Sequence, residues 1–492
     1  MSIEHLPAEL ILLITSQLLS ESSIAALARS NRRLHGICNP YLYKYNVLHF
    51  NSSALDWAAQ NGRMNTLQNA LDAGAPLPKK QPTGEVREQG PSREQFGRQA
   101  PHRFGDFQSH PISLASKYGH TDIVRYMIDR GVKSNISDPD GFTLLALAAI
   151  HGHTSLAEYL LDIGAQQGIR SLVGHRPVWL AAFQGHVDVV DMLVSTPMRN
   201  EDDLDKDEPD KEELMTEALF AAVLGGRAPV VQLLFTHEVQ VNVFGEFKKT
   251  PLFMAAANGM GDLVSLLLAY GADPNLIFGQ QEWHSPLTIA VSEGHEEVVR
   301  ILVEGTMRFH RTRALTLAVA QGNIRVAKIL LQNGALPQFY SSEIPKTWGH
   351  HQEWVQPLLF AVQRGNLELT ELLMQYGADV NVECTERPVG GADKLYDRAL
   401  FWAVEKSDEA MVNLLLGHGA DPDIDDLLDQ PPLTYAIYCN NEGIVRSLLD
   451  HGANPYRAAD VSGRKLLFFW QMKQSIFLQL QEAEIKWSKE HH

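Results

Sequence analysis

The sequence predicts an all-α protein, a helical solenoid preceded by a small three-helix domain. Three observations predict it. A two-helix unit recurs along most of the 492 residues with a favoured spacing of 33. The first fifty residues lack that period but carry apolar residues at helical spacing. A hydrophobic content of 45 % with 21 % charged residues is that of a folded, soluble chain. Length alone would suggest three or four domains, but a stacked array can outgrow a single core because each unit touches only its neighbours.

The clearest unit runs from Thr250 to Asn275. Thr250 can cap a first helix, Pro251 suits its first position, and Gly259 can end it in a left-handed turn. A second helix presents Leu263, Val264, Leu266 and Leu267 on one face and stops at Gly271. Neither helix can bury that face alone, so copies must stand beside it. Taking Ala255 as register mark, they fall at Ala58, Ala115, Ala148, Ala181, Ala222, Ala290, Ala318, Ala361, Ala403 and Ala436. A glycine follows four residues later in every copy except those with Ser407 and Asn440. This pattern resembles the ankyrin repeat, and the resemblance implies about eleven stacked repeats over residues 51–76 and 110–456.

Residues 1–50 form a separate segment. Leu6, Leu10, Ile14 and Leu18 recur at helical spacing behind Pro7. Ile24 and Leu27 mark a second helix, and Leu34 with Ile37 a third that Pro40 is expected to stop. The LPAEL opening, the RRLH step and the NPYLY tail look like an F-box. That resemblance implies docking onto the Skp adaptor of a cullin ubiquitin ligase through Leu6, Pro7, Leu10, Ile14 and Leu18, with Ile24 and Leu27. A plain reading stands beside it, because the exposed end of a repeat stack needs a lid and three amphipathic helices would supply one.

Along the array, residues 77–109 are expected to be a flexible insertion, poor in apolar residues and open to use as a hinge. Other long steps place their excess in the finger loops between repeats, whereas the short step from Ala290 to Ala318 should cut the finger after Gly305 short. The run from Arg199 to Glu213 is strongly acidic, a solvated loop or an attractor for a basic segment. Other fingers carry Phe244, Phe247, Trp283, Trp348 and Trp354, rings that either bury one another or line a recognition edge. Ankyrin proteins also recognise partners through the two residues after the paired small residues of the first helix, on the concave face. Here those positions include Tyr118, His151, Phe183, Gln184, Asn258, Arg364, Lys406 and Tyr438. Residues 457–492 lose the register and are expected to form a capping helix or degenerate repeat.

No catalytic or cofactor motif of the common kinds is present, so no enzyme and no cofactor is expected. Carboxylates from Asp421 to Asp426 start like a calcium loop but lack its glycine and its closing glutamate, and no metal site is expected. His120, His153, His186 and His295 follow turn glycines at one point of the repeat, which marks them as packing residues. The formal charge of −17 argues against nucleic acid and favours a basic or neutral protein partner. Three scattered cysteines, no secretory signal and no stretch long enough to span a membrane point to the cytosol or nucleus. Together these observations anticipate a substrate receptor of an SCF-type ligase, or else an ankyrin scaffold or inhibitor whose first helices are only a cap.

Overall fold

The computed structural model describes residues 6–17, 26–27, 29–30, 32–50, 52–77, 110–196, 210–245, 249–276, 285–338, 356–382, 398–425, 430–457 and 474–490. Among these residues all regular structure is helical apart from one isolated bridge between Ser137 and Thr143. The chain divides into two compact units, Met1–Gly245 and Glu246–His492.

The first unit opens with α1 (Ala8–Gln17) and α2 (Arg32–His49). Five helix pairs follow: α3 (Ser53–Gln60) with α4 (Met64–Asp72), α5 (Pro111–Lys117) with α6 (Thr121–Asp129), α7 (Leu144–His151) with α8 (Thr154–Asp162), α9 (Pro177–Gln184) with α10 (Val187–Ser195), and α11 (Lys211–Leu224) with α12 (Ala228–Thr236). The second unit holds six: α13 (Pro251–Ala257) with α14 (Gly261–Ala269), α15 (Pro286–Ser292) with α16 (Glu296–Leu302), α17 (Arg308–Gln321) with α18 (Ile324–Gln332), α19 (Pro357–Gln363) with α20 (Leu367–Gln375), α21 (Ala399–Glu405) with α22 (Glu409–Gly417), and α23 (Pro432–Tyr438) with α24 (Glu442–Asp450). A last helix, α25 (Gln474–Glu490), packs on α24. Within each unit first helices pack on first helices and second on second, and the register alanines Ala58, Ala115, Ala148, Ala181 and Ala255 are fully buried where they meet. A methyl group is what lets two helix axes approach this closely.

Local chemistry accounts for each unit. Thr250 Oγ1 accepts from Phe253 N at 3.2 Å, Pro251 occupies the first turn, and Gly259 turns the chain at φ +71°. The side chain of the residue after the turn glycine then reaches back to the preceding repeat. In the first unit His120, His153 and His186 Nε2 donate to the carbonyls of Gln60, Lys117 and Ile150 at 2.9 Å, and Arg227 Nε donates to Phe183 O at 3.0 Å. In the second unit His295 does the same to Ala257 O at 3.1 Å. A second column joins the other ends of the repeats, where Asn381 donates through Nδ2 to Gly419 O and accepts from Asp421 N. Asn275 makes the same pair of bonds with Gly305 O and Met307 N.

Three sequence expectations change. Pro40 does not stop its helix, since α2 runs through it to His49. Proline removes one backbone hydrogen bond and crowds the preceding turn, and the burial of Leu34, Cys38 and Asn46 on either side offsets that loss. The acidic run ending at Glu213 is not all finger, because Asp210 Oδ1 accepts from Glu213 N at 2.7 Å and starts α11 two turns early. The apolar stripe of α1 is shifted, since the fully buried residue is Ile11, one position from Leu10. The expected flexible insertion or hinge lies outside the described residues, which stop at 77 and resume at 110. On either side of it α3 packs on α5, and Gln60 Nε2 donates to Tyr118 Oη at 3.1 Å. The finger after Gly305 is cut short as anticipated, α17 beginning at Arg308.

At Ser407 and Asn440, where the turn glycine is missing, the backbone keeps φ at +56° and +55°. An L-residue in this region is strained by about 1–2 kcal/mol. Ser407→Gly is therefore expected to stabilise the protein by about 1 kcal/mol, read as a higher urea midpoint at unchanged slope.

Candidate functional site

The site is built from two surfaces, the N-terminal helices and the first-helix row of the repeats. In the N-terminal domain Ile11, Leu34 and Cys38 form the core, with Leu6, Leu27 and Ile37 packed against it. Thr15 Oγ1 donates to Ile11 O at 2.7 Å, and Arg33 donates to Leu6 O at 3.1 Å, fixing the segment that leads into α1. Of the residues assigned to adaptor binding, Pro7 is exposed, Leu10 is 46 % exposed and Ile14 is half-buried. Leu6 and Leu27 are half-buried and pack against the domain's own core. Leu18 and Ile24 lie outside the described residues. Helix α2 packs on α3 and α4, and Asn46, 2 % exposed, accepts from Ala54 N at 3.0 Å and donates to Ser53 Oγ at 3.0 Å. The small domain is thus stitched to the first repeat.

On the repeats the residues after the paired small positions do come to the surface. Tyr118 is 42 % exposed and His151 is exposed, while Phe183 and Gln184 are half-buried. In the second unit Asn258, Arg364 and Lys406 are exposed, and Tyr438 is 70 % exposed. Lys406 Nζ donates to Gln363 O, so its charge is anchored to the neighbouring repeat. Among the finger aromatics Phe244 is 37 % exposed, whereas Phe247, Trp283, Trp348 and Trp354 lie outside the described residues.

The sequence reading missed the densest aromatic feature of the first unit. His175, Trp179 and Phe183 stack in a ladder, with ring centroids 3.6 and 5.1 Å apart and planes within 8°. Trp179 also packs on the cluster of Phe142, Ala146, Leu147, Ile150 and Leu180. Trp179 and Phe183 stand four apart on one face of α9, with His175 a further four residues back, just before the helix, and that spacing is the signal that would have found them. Beside the ladder, Arg176 bridges Glu213 at 2.7 Å and Glu217 at 2.6 Å, and Arg170 reaches Glu217 at 2.6 Å. Burial pushes the Glu217 carboxyl up against the pull of Arg176 and Arg170.

Two titratable groups near this row are strongly perturbed. His151 is pushed down to about 4 by desolvation, followed by the fields of His153, Lys117 and His186. Asp138, 9 % exposed in the finger after α6, is pushed up to about 6, mainly by burial and against the N–H groups of Phe142 and Asp140 that it accepts. A folded-state value above 3.8 means the native protein binds more protons than the unfolded chain between about pH 4 and 6, so this group lowers stability as pH rises through that window. Asp138→Asn keeps an acceptor for both N–H groups and removes the charge. It is expected to raise stability at pH 7 by as much as roughly 3 kcal/mol and to leave it nearly unchanged at pH 4, measured by urea melts at both pH values.

Among the described residues no cluster of three or more metal-ligating side chains occurs. The calcium-like run is otherwise engaged: Asp423 accepts from Asn454 N at 2.9 Å, and Arg457 pairs with Asp425 at 2.5 Å. No helix among the described residues is long and apolar enough to cross a membrane.

Comparison with known proteins agrees with this geometry. The family model for ankyrin repeats (3 copies) matches residues 112–207, 178–278, 276–339 and 358–459. The model described as F-box-like matches residues 3–49. Among curated proteins the chain is similar to ankyrin repeat and KH domain-containing protein mask-1 of Caenorhabditis elegans, 35 % identical over 130 residues, which is 25 % of this chain and 5 % of that protein. It is also similar to ankyrin repeat and KH domain-containing protein CBG24701 of Caenorhabditis briggsae, 34 % identical over 123 residues, 24 % of this chain and 5 % of that protein. The matched stretch is therefore a twentieth of those relatives' length.

Proposed function

The chain belongs to the ankyrin-repeat family and carries an F-box-like domain at residues 3–49, and from that premise we propose that it is the substrate-recognition subunit of an SCF-type ubiquitin ligase. Both modules are interaction domains, and on this reading the chain does no chemistry itself. Pro7, Leu10 and Ile14 meet the Skp adaptor, the adaptor carries the cullin, and the repeats hold a target in the cytosol or nucleus. Tethering raises the target's effective concentration near the charged ubiquitin carrier without any new catalytic group.

The observation that carries the reading is Leu10. It stays 46 % exposed although the domain's own core is already filled by Ile11, Leu34 and Cys38, which leaves an apolar residue beside Pro7 for a partner. A pull-down of the purified chain with Skp adaptor and cullin, comparing wild type with Leu10→Asp, tests it. Capture of wild type and its loss in the folded variant is the expected result, and failure of folded wild type to bind would end the ligase reading.

A second reading keeps the ankyrin scaffold, with the N-terminal helices as a lid. It is favoured by the packing of α2 on α3 and α4 and by the Asn46 hydrogen bonds. A lid predicts that removing residues 1–50 lowers the melting temperature of the array with no adaptor bound by the intact chain.

A further inference from the structure

We propose that Ser30 is a phosphorylation site, and that its phosphate draws Arg33 off the carbonyl of Leu6 and so releases the segment that presents Pro7 and Leu10 to the adaptor. The effect on the adaptor rests on the ligase reading, whereas the modification and the release of the segment do not.

The first support is the setting of the hydroxyl. No Asp or Glu occurs between Glu21 and Asp56, although the chain as a whole has a net charge of −17. Within that stretch Ser30 is exposed, Arg29 precedes it, and Arg32 and Arg33 follow two and three residues on, all three arginines exposed. Among the described residues of 6–50 the single carboxylate is Glu9, against Arg29, Arg32, Arg33 and Lys44. Kinases choose serines by flanking charge, so this one suits an arginine-directed serine kinase. The step transfers the γ-phosphoryl group of ATP. The bond from Ser30 Oγ to phosphorus forms, the bond from that phosphorus to the bridging oxygen breaks, ADP leaves, and the hydroxyl proton passes to the kinase's base.

The second support is what Arg33 already holds. Its Nη2 donates to Leu6 O at 3.1 Å and ties the entry of α1 to the start of α2. Leu6 packs half-buried on the core of Ile11, Leu34 and Cys38, and exposed Pro7 follows it. Ser30 Oγ donates to Leu27 O at 2.7 Å, and esterification removes that donor while adding close to two negative charges. A phosphate accepts two charge-assisted hydrogen bonds from one guanidinium where the carbonyl accepts one, and three residues of chain span at most about 10 Å, so Arg33 gains a stronger acceptor close by. Once it turns, Leu6 and Pro7 lose their tie. The first turn of α1 loosens with them, because Leu10 N and Ile11 N donate to Pro7 O at 3.1 and 3.2 Å.

The test uses the full-length chain. A panel of arginine-directed serine kinases with ATP, read by mass spectrometry, is expected to place phosphate on Ser30. Chain made with phosphoserine at position 30 during translation is then compared with unmodified chain. Amide exchange at Leu10 and Ile11 is expected to rise about tenfold, with the amides of Leu34 and Cys38 unchanged, and affinity for the Skp adaptor to fall about tenfold. Arg33→Gln should produce both effects without phosphate, and phosphoserine should then add less than about twofold. No phosphate on Ser30 from any kinase of the panel, unchanged exchange at Leu10 and Ile11, a rise shared by Leu34 and Cys38, or phosphoserine and Arg33→Gln effects that multiply would each overturn the proposal. Unmodified chain that binds no adaptor would end the ligase reading instead, and the exchange measurement decides the phosphate switch without it.

Discussion

Gly152→Ala should destabilise the repeat array by about 3–4 kcal/mol, while Gly322→Ala should cost about 1–2 kcal/mol. Both glycines sit in the left-handed region, at φ +72° and +75°, so both substitutions incur the same backbone strain. The difference lies in the next repeat. A Cβ at position 152 would stand 2.5 Å from Nδ1 of His186, whereas at position 322 nothing lies within 4 Å. To admit that methyl group the His186 ring must move, and its hydrogen bond to Ile150 O goes with it, about another 1 kcal/mol plus lost packing. Because a solenoid is held by contacts between neighbours, the effect should appear as early exchange of amides in α7 and α9 ahead of the rest. Urea melts of the two variants decide it, and equal losses would show that the histidine contact contributes nothing.

Leu10→Asp is expected to weaken binding of the Skp adaptor by at least about thirtyfold, on the order of 2 kcal/mol, with little change in the melting temperature of the chain. Leu10 is largely open to solvent, so a carboxylate there is tolerated until a partner must bury it. Ile11→Asp is the control. Ile11 is fully buried against Leu34 and Cys38, so that substitution should unfold the domain and abolish adaptor binding for a different reason. The pair separates interface from core by one residue. Isothermal titration of both variants beside thermal melts reads the two effects, and a large loss of stability in Leu10→Asp would assign this position to the core.

The need for two neighbouring substitutions shows where the sequence ran short. Leu10 to Ile14 is an unbroken apolar run, and a helix that is apolar all round has no periodicity to say which stripe meets the domain core. The Leu6, Leu10, Ile14 spacing treats these residues alike, yet Leu10 is exposed while Leu6 is half-buried against the core. Pro40 misled for a related reason, since local propensity was outweighed by burial on both sides. The histidines after the turn glycines were legible because they are periodic. Their partners were not, because a carbonyl accepts from any side chain of suitable reach, and Arg227 fills the place of His without resembling it.

By itself the sequence determined what repeats: helix pairs, capping threonine and proline, turn glycines and buried alanines, each dictated by backbone conformation and spacing within one unit. Tertiary structure alone decided what depends on the neighbouring unit. It showed which glycines carry the imidazole of the following repeat, that repeat one stacks on repeat two across the insertion, and that α11 is lengthened by part of the acidic run. The physical reason is the range of the interactions. Capping and helix propensity act within a few residues and leave a local record, whereas the steric fit of Gly152 against His186 and the hydrogen bonds of Gln60 to Tyr118 and Arg227 to Phe183 join residues more than thirty positions apart.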